Sequence, residues 1–154
     1  MPGTDVDDGQ GLQRFLSAQA HSFDGALAEL RAGSKRGHWI WYVLPQLRGL
    51  GVSHASRLYG IASIDEARAY LAHPTLGARL RECVAAIGAH RERRRIEEIL
   101  GELDAMKYRS CLTLFKLVDG PGSVFAQALA DFFGGEDDPR TLELLGLGRP
   151  AHDR

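Results

Sequence analysis

The sequence predicts a mostly α-helical single domain of about six or seven helices. Three observations carry that expectation. Apolar residues recur at i, i+3, i+4 and i+7 along most of the chain. Helix start and stop signals bracket those stretches, at Ser63, His73-Pro74, Asp104, Asp119-Gly120 and Gly134-Gly135. At 154 residues, 44% hydrophobic and 25% charged, the chain can bury a core without disulfide or metal staples.

Met1 to Gln10 is acidic and contains glycine, and it reads as a disordered lead-in without a secretory pattern. The single domain is expected over 11–146 and a frayed tail over 147–154. Leu12, Phe15, Leu16, Gln19, Phe23, Ala26, Leu27 and Leu30 share one stripe, which predicts one long amphipathic helix ended by Gly33. Gln19 interrupts the stripe, either at its boundary or facing a specific polar group. In the run His38-Trp39-Ile40-Trp41-Tyr42-Val43, alternation fits a short extended segment, and the same residues fit a buried helical turn. Pro45 ends regular structure, and Gly49 and Gly51 follow in a turn.

Ser63 and Glu66 have capping-box spacing and start a short helix through Leu71. His73-Pro74 breaks it. The next helix begins near Thr75, with Leu76, Leu80, Cys83, Val84 and Ile87 as its apolar face. The basic stretch His90 to Arg95 reads as a solvated loop, followed by a short apolar turn at Ile96, Ile99 and Leu100. Asp104 is placed to cap a helix over 105–117 with Met106, Leu112 and Phe115 buried. Val124 to Phe133 forms another helix. Asp137 or Asp138 caps the last one, through Leu145, with Pro139 in its first turn.

The net charge of −1 argues against a general nucleic-acid binder, and the short basic run lacks interleaved aromatics. No apolar stretch approaches membrane-spanning length, so a cytoplasmic protein is expected. Cys83 and Cys111 both lie in apolar helical patterns and read as buried free thiols, although the sequence also permits a disulfide between them. No metal site and no cofactor motif is present: the scattered histidines lack ligand spacing, and Gly49-Leu50-Gly51 lacks the context of a phosphate loop.

The chemistry concentrates in the run from Gly33 to Gly51. Both tryptophans of the protein lie there, flanked by Lys35, Arg36 and Arg48. Stacking rings beside cations suit a small anionic or nucleotide-like ligand, ADP-ribose included. The competing reading makes both tryptophans core residues and the cations a solvated loop. Gly49, Gly51 and Ser53 offer backbone N–H groups to an anion, or form a plain tight turn. Asp104, Lys107 and Ser110 are spaced three apart, as an acid–base set or as a cap with a surface ion pair.

Several stretches taken together resemble the bacterial family named domain of unknown function 1810. They are Phe15 with Ala18-Gln19, Glu29-Leu30 through Lys35 to His38-Trp39 and Trp41, and Pro45-Gln46 through Gly49-Leu50-Gly51 to Ser53. Glu66-Ala67 with Tyr70-Leu71, and Asp104 and Lys107 leading to Leu112-Thr113-Leu114-Phe115, complete the set. The likeness runs from about Phe15 to Leu145 and implies a multihelical fold and no known activity. Family members commonly carry a Ser-Ser-Met-Thr-Leu-Phe-like segment. Here it reads Ser110-Cys111-Leu112-Thr113-Leu114-Phe115, which keeps the polar Ser110 and Thr113.

The sequence reading is thus of one pocket where the aromatic run, the Pro45–Gly51 turn and the Asp104 helix converge. Lys35, Trp39, Trp41, Gln46, Gly49, Gly51, Ser53, Ser110 and Thr113 are its binding candidates. Were it an enzyme, His38 or Asp104 would act as base and Lys107 would stabilise an anion. The alternative is a non-enzymatic interaction module or homodimer anchored by the tryptophans.

Overall fold

The computed structural model describes residues 3–148, with side chains from residue 11 onward. Its ten helices confirm the mostly α-helical class, and the excess over the expected number comes from short helices and one split. The elements are α1 (Gly3–Gln19), α2 (Phe23–Ala32), α3 (Ile40–Val43), α4 (His54–Tyr59), α5 (Ile64–Ala72), α6 (Pro74–Gly88), α7 (Ile96–Leu100), α8 (Glu102–Asp119), α9 (Val124–Phe133) and α10 (Pro139–Leu144). No helix among the described residues is long and apolar enough to cross a membrane. Of the stretch read as a lead-in, Gly3 to Gln10 belongs to α1, and Met1 and Pro2 lie outside the described residues. The expected tail lies outside them from residue 149.

The stripe from Leu12 to Leu30 forms two helices rather than one. The Ser22 hydroxyl donates to the Ala18 carbonyl at 2.6 Å, and Ser22 N–H bonds back only three residues, to Gln19 O at 3.2 Å. This tightened turn ends α1 and re-aims the chain, so Phe23, Ala26, Leu27 and Leu30 bury against α6. Gln19 proves to face specific partners. Its amide donates to Tyr42 O at 2.7 Å and to the Tyr70 hydroxyl at 3.2 Å, and its oxygen accepts from Arg79 at 3.2 Å.

The aromatic run resolves as one helical turn, α3, and not an extended segment. The Ser53 hydroxyl caps α4, a helix the periodicity did not reveal because only six residues form it. At α5 the Ser63 hydroxyl accepts from Glu66 N–H at 3.1 Å, while the Glu66 carboxylate reaches Ala62 N–H and Arg14. Arg14 also donates to Leu58 O and Gly60 O, and so ties α1 to the α4–α5 connection. His73 caps α6 through Nδ1, which accepts from Thr75 and Leu76 N–H.

Helix α8 is the axis of the fold. Tyr108 and the run Ser110 to Phe115 are buried, and α5, α7, α9 and α10 all pack on it. It starts one turn earlier than Asp104 would dictate. Gly101, at φ 88° and ψ 161°, links α7 to α8 in a conformation other residues avoid, so Asp104 becomes a helix residue rather than a cap. Met106, expected in the core, is 67% exposed. Leu103, one turn earlier, is 73% exposed as well, so this part of α8 is left uncovered by the described residues.

Cys83 and Cys111 are buried and unbridged. Burial pushes the Cys83 thiol up to about 12 and the Cys111 thiol well above its usual value, so both stay protonated packing groups. The basic stretch after α6 is a turn on the surface, in which His90 Nε2 meets Leu30 O at 2.9 Å.

Candidate functional site

A cavity of about 380 Å³ opens between the Pro45–Ser53 segment, the start of α8 and the start of α10. Trp41, Gln46, Gly51 and Ser53 line it from the first side, and Lys107 and Ser110 from α8. These six were among the twelve residues singled out from the sequence. Asp138 and Arg140 of α10 close the third side, and Leu50, Val52, Leu103 and Met106 supply apolar surface.

The other candidates lie elsewhere. Trp39 is 3% exposed, and its indole N–H donates to the Glu29 carboxylate at 2.9 Å. The same carboxylate oxygen accepts Arg36 and Gly37 N–H at 2.8 and 3.0 Å. Burial raises the Glu29 carboxyl, but these donors and the Lys35 charge outweigh it and hold it below the usual range. Trp39 is therefore a core residue that fixes the loop before α3. His38 is exposed and does not line the cavity. Gly49 faces Leu144 of α10, and Thr113 is fully buried.

Lys35 and Asp104 do not line the cavity and reach it only through Lys107. Lys35 Nζ lies 2.6 Å from Asp104 Oδ2 and 4.9 Å from the centre of the Trp39 ring. Lys107 Nζ lies 3.1 Å from Asp104 Oδ1 and 4.4 Å from the centre of the Trp41 ring. One carboxylate thus holds two ammonium groups, each over one tryptophan. Burial raises the Asp104 carboxyl, yet hydrogen bonds and charge from Lys35 and Lys107 outweigh it and hold it below the carboxylate range. An anion so stabilised is a poor proton acceptor near neutral pH and a good anchor for Lys107.

Two further polar groups of the cavity, Gln46 and Asp138, are set by backbone anchoring. Leu47 and Ile61 form a parallel bridge, with Arg48 N–H on Ile61 O at 2.8 Å and Ile61 N–H on Gln46 O at 2.9 Å. The Gln46 backbone is thereby fixed. Its side chain is different: the residue is only 7% exposed, and its carboxamide has no hydrogen-bond partner among the described residues. It is not sealed in the core either: among the described residues, the buried side-chain atom left unpaired is Tyr108 Oη. A nearly buried amide that lines a cavity without a partner is available to a ligand.

Asp138 is held just as firmly. Arg109 donates to Glu136 O and Asp137 O, Lys116 Nζ meets Asp137 Oδ1 at 2.6 Å, and Asp138 N–H donates to Thr113 Oγ1 at 2.9 Å. Asp138 Oδ2 then accepts Thr141 N–H at 3.0 Å, the Thr141 hydroxyl at 2.6 Å and the Ser110 hydroxyl at 3.0 Å. Asp138 had been expected only as a helix cap; its place on the cavity depends on a contact across 28 residues, which no local spacing reveals. Replacing Thr113 by valine removes the acceptor for the Asp138 N–H. Urea unfolding should then show a loss of about 1–2 kcal/mol, the cost of a buried unpaired donor.

Comparison with known proteins gives a family and a close fold. A model for proteins of unknown function (DUF1810) matches residues 9–145. No curated protein matches the chain. Among solved structures, it is similar to the crystal structure of the conserved hypothetical protein Rv1873 from Mycobacterium tuberculosis. Identity is 47%, the match covers 88% of this chain and 96% of that one, and the TM-score is 0.85. The chain belongs to the DUF1810 family of proteins of unknown function.

Proposed function

We propose that the protein binds a small molecule with a flat ring and a polar or singly anionic end in the cavity beside Trp41. The observation that carries this reading is the Gln46 carboxamide, nearly buried on the cavity wall with no partner among the described residues. Its polar atoms keep access from the cavity, so a ligand can complete their hydrogen bonds in place of water. The apolar surface of Trp41, Leu50, Val52 and Met106 suits the body of the ligand, and Lys107 and Arg140 suit its charge. The local balance favours one negative charge over the two of a diphosphate, because Asp104 already occupies Lys107 and Asp138 opposes Arg140. A nucleoside, or a flat ring with a single carboxylate, fits this better than intact ADP-ribose.

The reading is of binding and not of a reaction with Asp104 as base, because that carboxylate is committed to two lysines. Thermal melting in the presence of nucleosides, monophosphates, ADP-ribose, sugar phosphates and flat aromatic acids is the test. A ligand at a hundred times its Kd stabilises the native state by about 2.7 kcal/mol. The shift should appear in the wild type and disappear in Gln46→Ala and Trp41→Ala variants that retain their own fold. A shift kept by both variants places binding elsewhere and overturns the reading.

A second reading rests on the exposed rim. Val52, Leu103 and Met106 are 83, 73 and 67% exposed around the cavity mouth, where an apolar partner surface, including a second copy, would dock. It requires a concentration-dependent mass in sedimentation that Leu103→Glu abolishes.

A further inference from the structure

We infer that the polar end of the cavity selects a nitrogen heterocycle carrying an exocyclic amino group, read by Asp138 with Gln46. This deepens the pocket reading and rests on it. Most hydrogen-bonding positions around Asp138 are already taken. Asp138 Oδ2 is saturated by Thr141 N–H, the Thr141 hydroxyl and the Ser110 hydroxyl. Asp138 Oδ1 accepts nothing from the described residues, and Asp138 lines the cavity. An ionised carboxylate oxygen only accepts, so the ligand atom that meets it must be a donor. The Ser110 hydroxyl spends its proton on Asp138 Oδ2 or on Met106 O, and so offers lone pairs, not a donor, to the cavity.

Gln46 is the other open group, and its amide both donates and accepts. Both line the same cavity, so the combination on offer is an acceptor and a donor–acceptor pair. Its complement is a donor beside an acceptor on one rigid edge, as an amino group beside a ring nitrogen or carbonyl in an aminopurine or aminopyrimidine. A phosphate or carboxylate set against Asp138 would face its charge, and Lys107 and Arg140 are the lining cations left for any anionic substituent. The Trp41 ring, on the same cavity, supplies apolar surface for the heterocycle.

Asp138→Asn tests this without dismantling the site. The cap requires an acceptor at the Oδ2 position for Thr141 N–H, which fixes the asparagine oxygen there and turns its NH₂ to the cavity. Asparagine is as good an N-cap as aspartate, so the melting temperature should hardly move. The probes are nucleoside pairs that differ only by the amino group: adenosine and purine riboside, guanosine and inosine, cytidine and its 4-deamino analogue. A flat acid without N–H groups, 2-naphthoate, reports on the pocket alone. Kd is measured by quenching of tryptophan fluorescence and by calorimetry.

The expected result is that the wild type binds the amino member of at least one pair more tightly by about ten- to a hundredfold, the range for a hydrogen bond to a charged group. Asp138→Asn should abolish that preference while 2-naphthoate still binds, no more weakly than before, since the variant removes a negative charge from the cavity wall. Equal binding of both members of every pair, or a preference that survives in Asp138→Asn, overturns the inference and leaves the pocket standing. If 2-naphthoate binds and no nucleoside does, the inference falls in the same way. If no probe binds, both readings fall.

Discussion

Replacing Asp104 by asparagine is expected to lower stability by about 3 kcal/mol, the scale of an ion pair broken from one side. The effect does not come from the lost attraction alone. Lys35 is 6% exposed at its side chain, and Asp104 is the carboxylate at 2.6 Å that neutralises it. Asparagine keeps the shape and removes the charge, so the Lys35 ammonium is left in a poorly hydrated site. Lys107 suffers less, because it is 26% exposed and lies over Trp41. Chemical denaturation should show the loss as a lower midpoint with an unchanged slope. Adding Lys35→Met to Asp104→Asn should recover much of it, since methionine fills similar space without a charge. If the double variant is no more stable than the single one, the unpaired charge is not the cause.

The same group sets a pH dependence. The folded-state carboxyl of Asp104 lies below its unfolded value, so the native state binds this proton less readily. Its stabilising contribution is complete above the unfolded value and is lost as pH falls through the folded one. Asp104→Asn should therefore flatten the acid limb of the stability profile and leave the neutral region parallel to the wild type.

Gly77→Ala is expected to cost about 3 kcal/mol or more, and to lower the melting temperature by about 10 °C in a protein of this size. Gly77 is buried in the first turns of α6, where the chain has just turned from α5 through His73. An added Cβ would lie 2.1 Å from the Leu71 carbonyl oxygen and 3.0 Å from its carbon. Those are backbone atoms of α5, so no side chain can rotate away. Relief requires the α5–α6 corner to open, and with it the packing of α5 on α8. Gly25→Ala is the counterpart. Gly25 is an exposed residue within α2, with nothing within 4 Å of its would-be Cβ, and alanine there should stabilise by about 0.5–1 kcal/mol. Opposite signs at these two helical glycines would show that helix propensity is overridden by contact only where another backbone approaches.

Much of the fold is written in local pattern. The stripes of α5, α6 and α9, the Ser63 cap, the His73-Pro74 break and the Asp138 cap with Pro139 could be read directly, because each depends on residues within about one or two helical turns. Local pattern misleads where another part of the chain decides. The break at Ser22 hides within a continuous stripe, since Phe23 and Leu27 keep an apolar period on both sides of the turn. Met106 fits the apolar face of α8, but periodicity cannot say whether a neighbour covers that face.

The candidate site divides along the same line. Sequence alone determined that Trp41, Gln46, Gly51, Ser53, Lys107 and Ser110 deserved attention together, because composition, spacing and family resemblance all act on residue type. Only the tertiary structure separated Trp39 from Trp41, the first bonded to Glu29 in the core and the second lining the cavity. It also withdrew Lys35 to Asp104, left His38 outside, and brought Asp138 and Arg140 to the third wall. The reason is physical. Residue type limits which hydrogen bonds and charges a side chain can offer, whereas packing across distant segments decides which of those offers are already met and which still face the cavity.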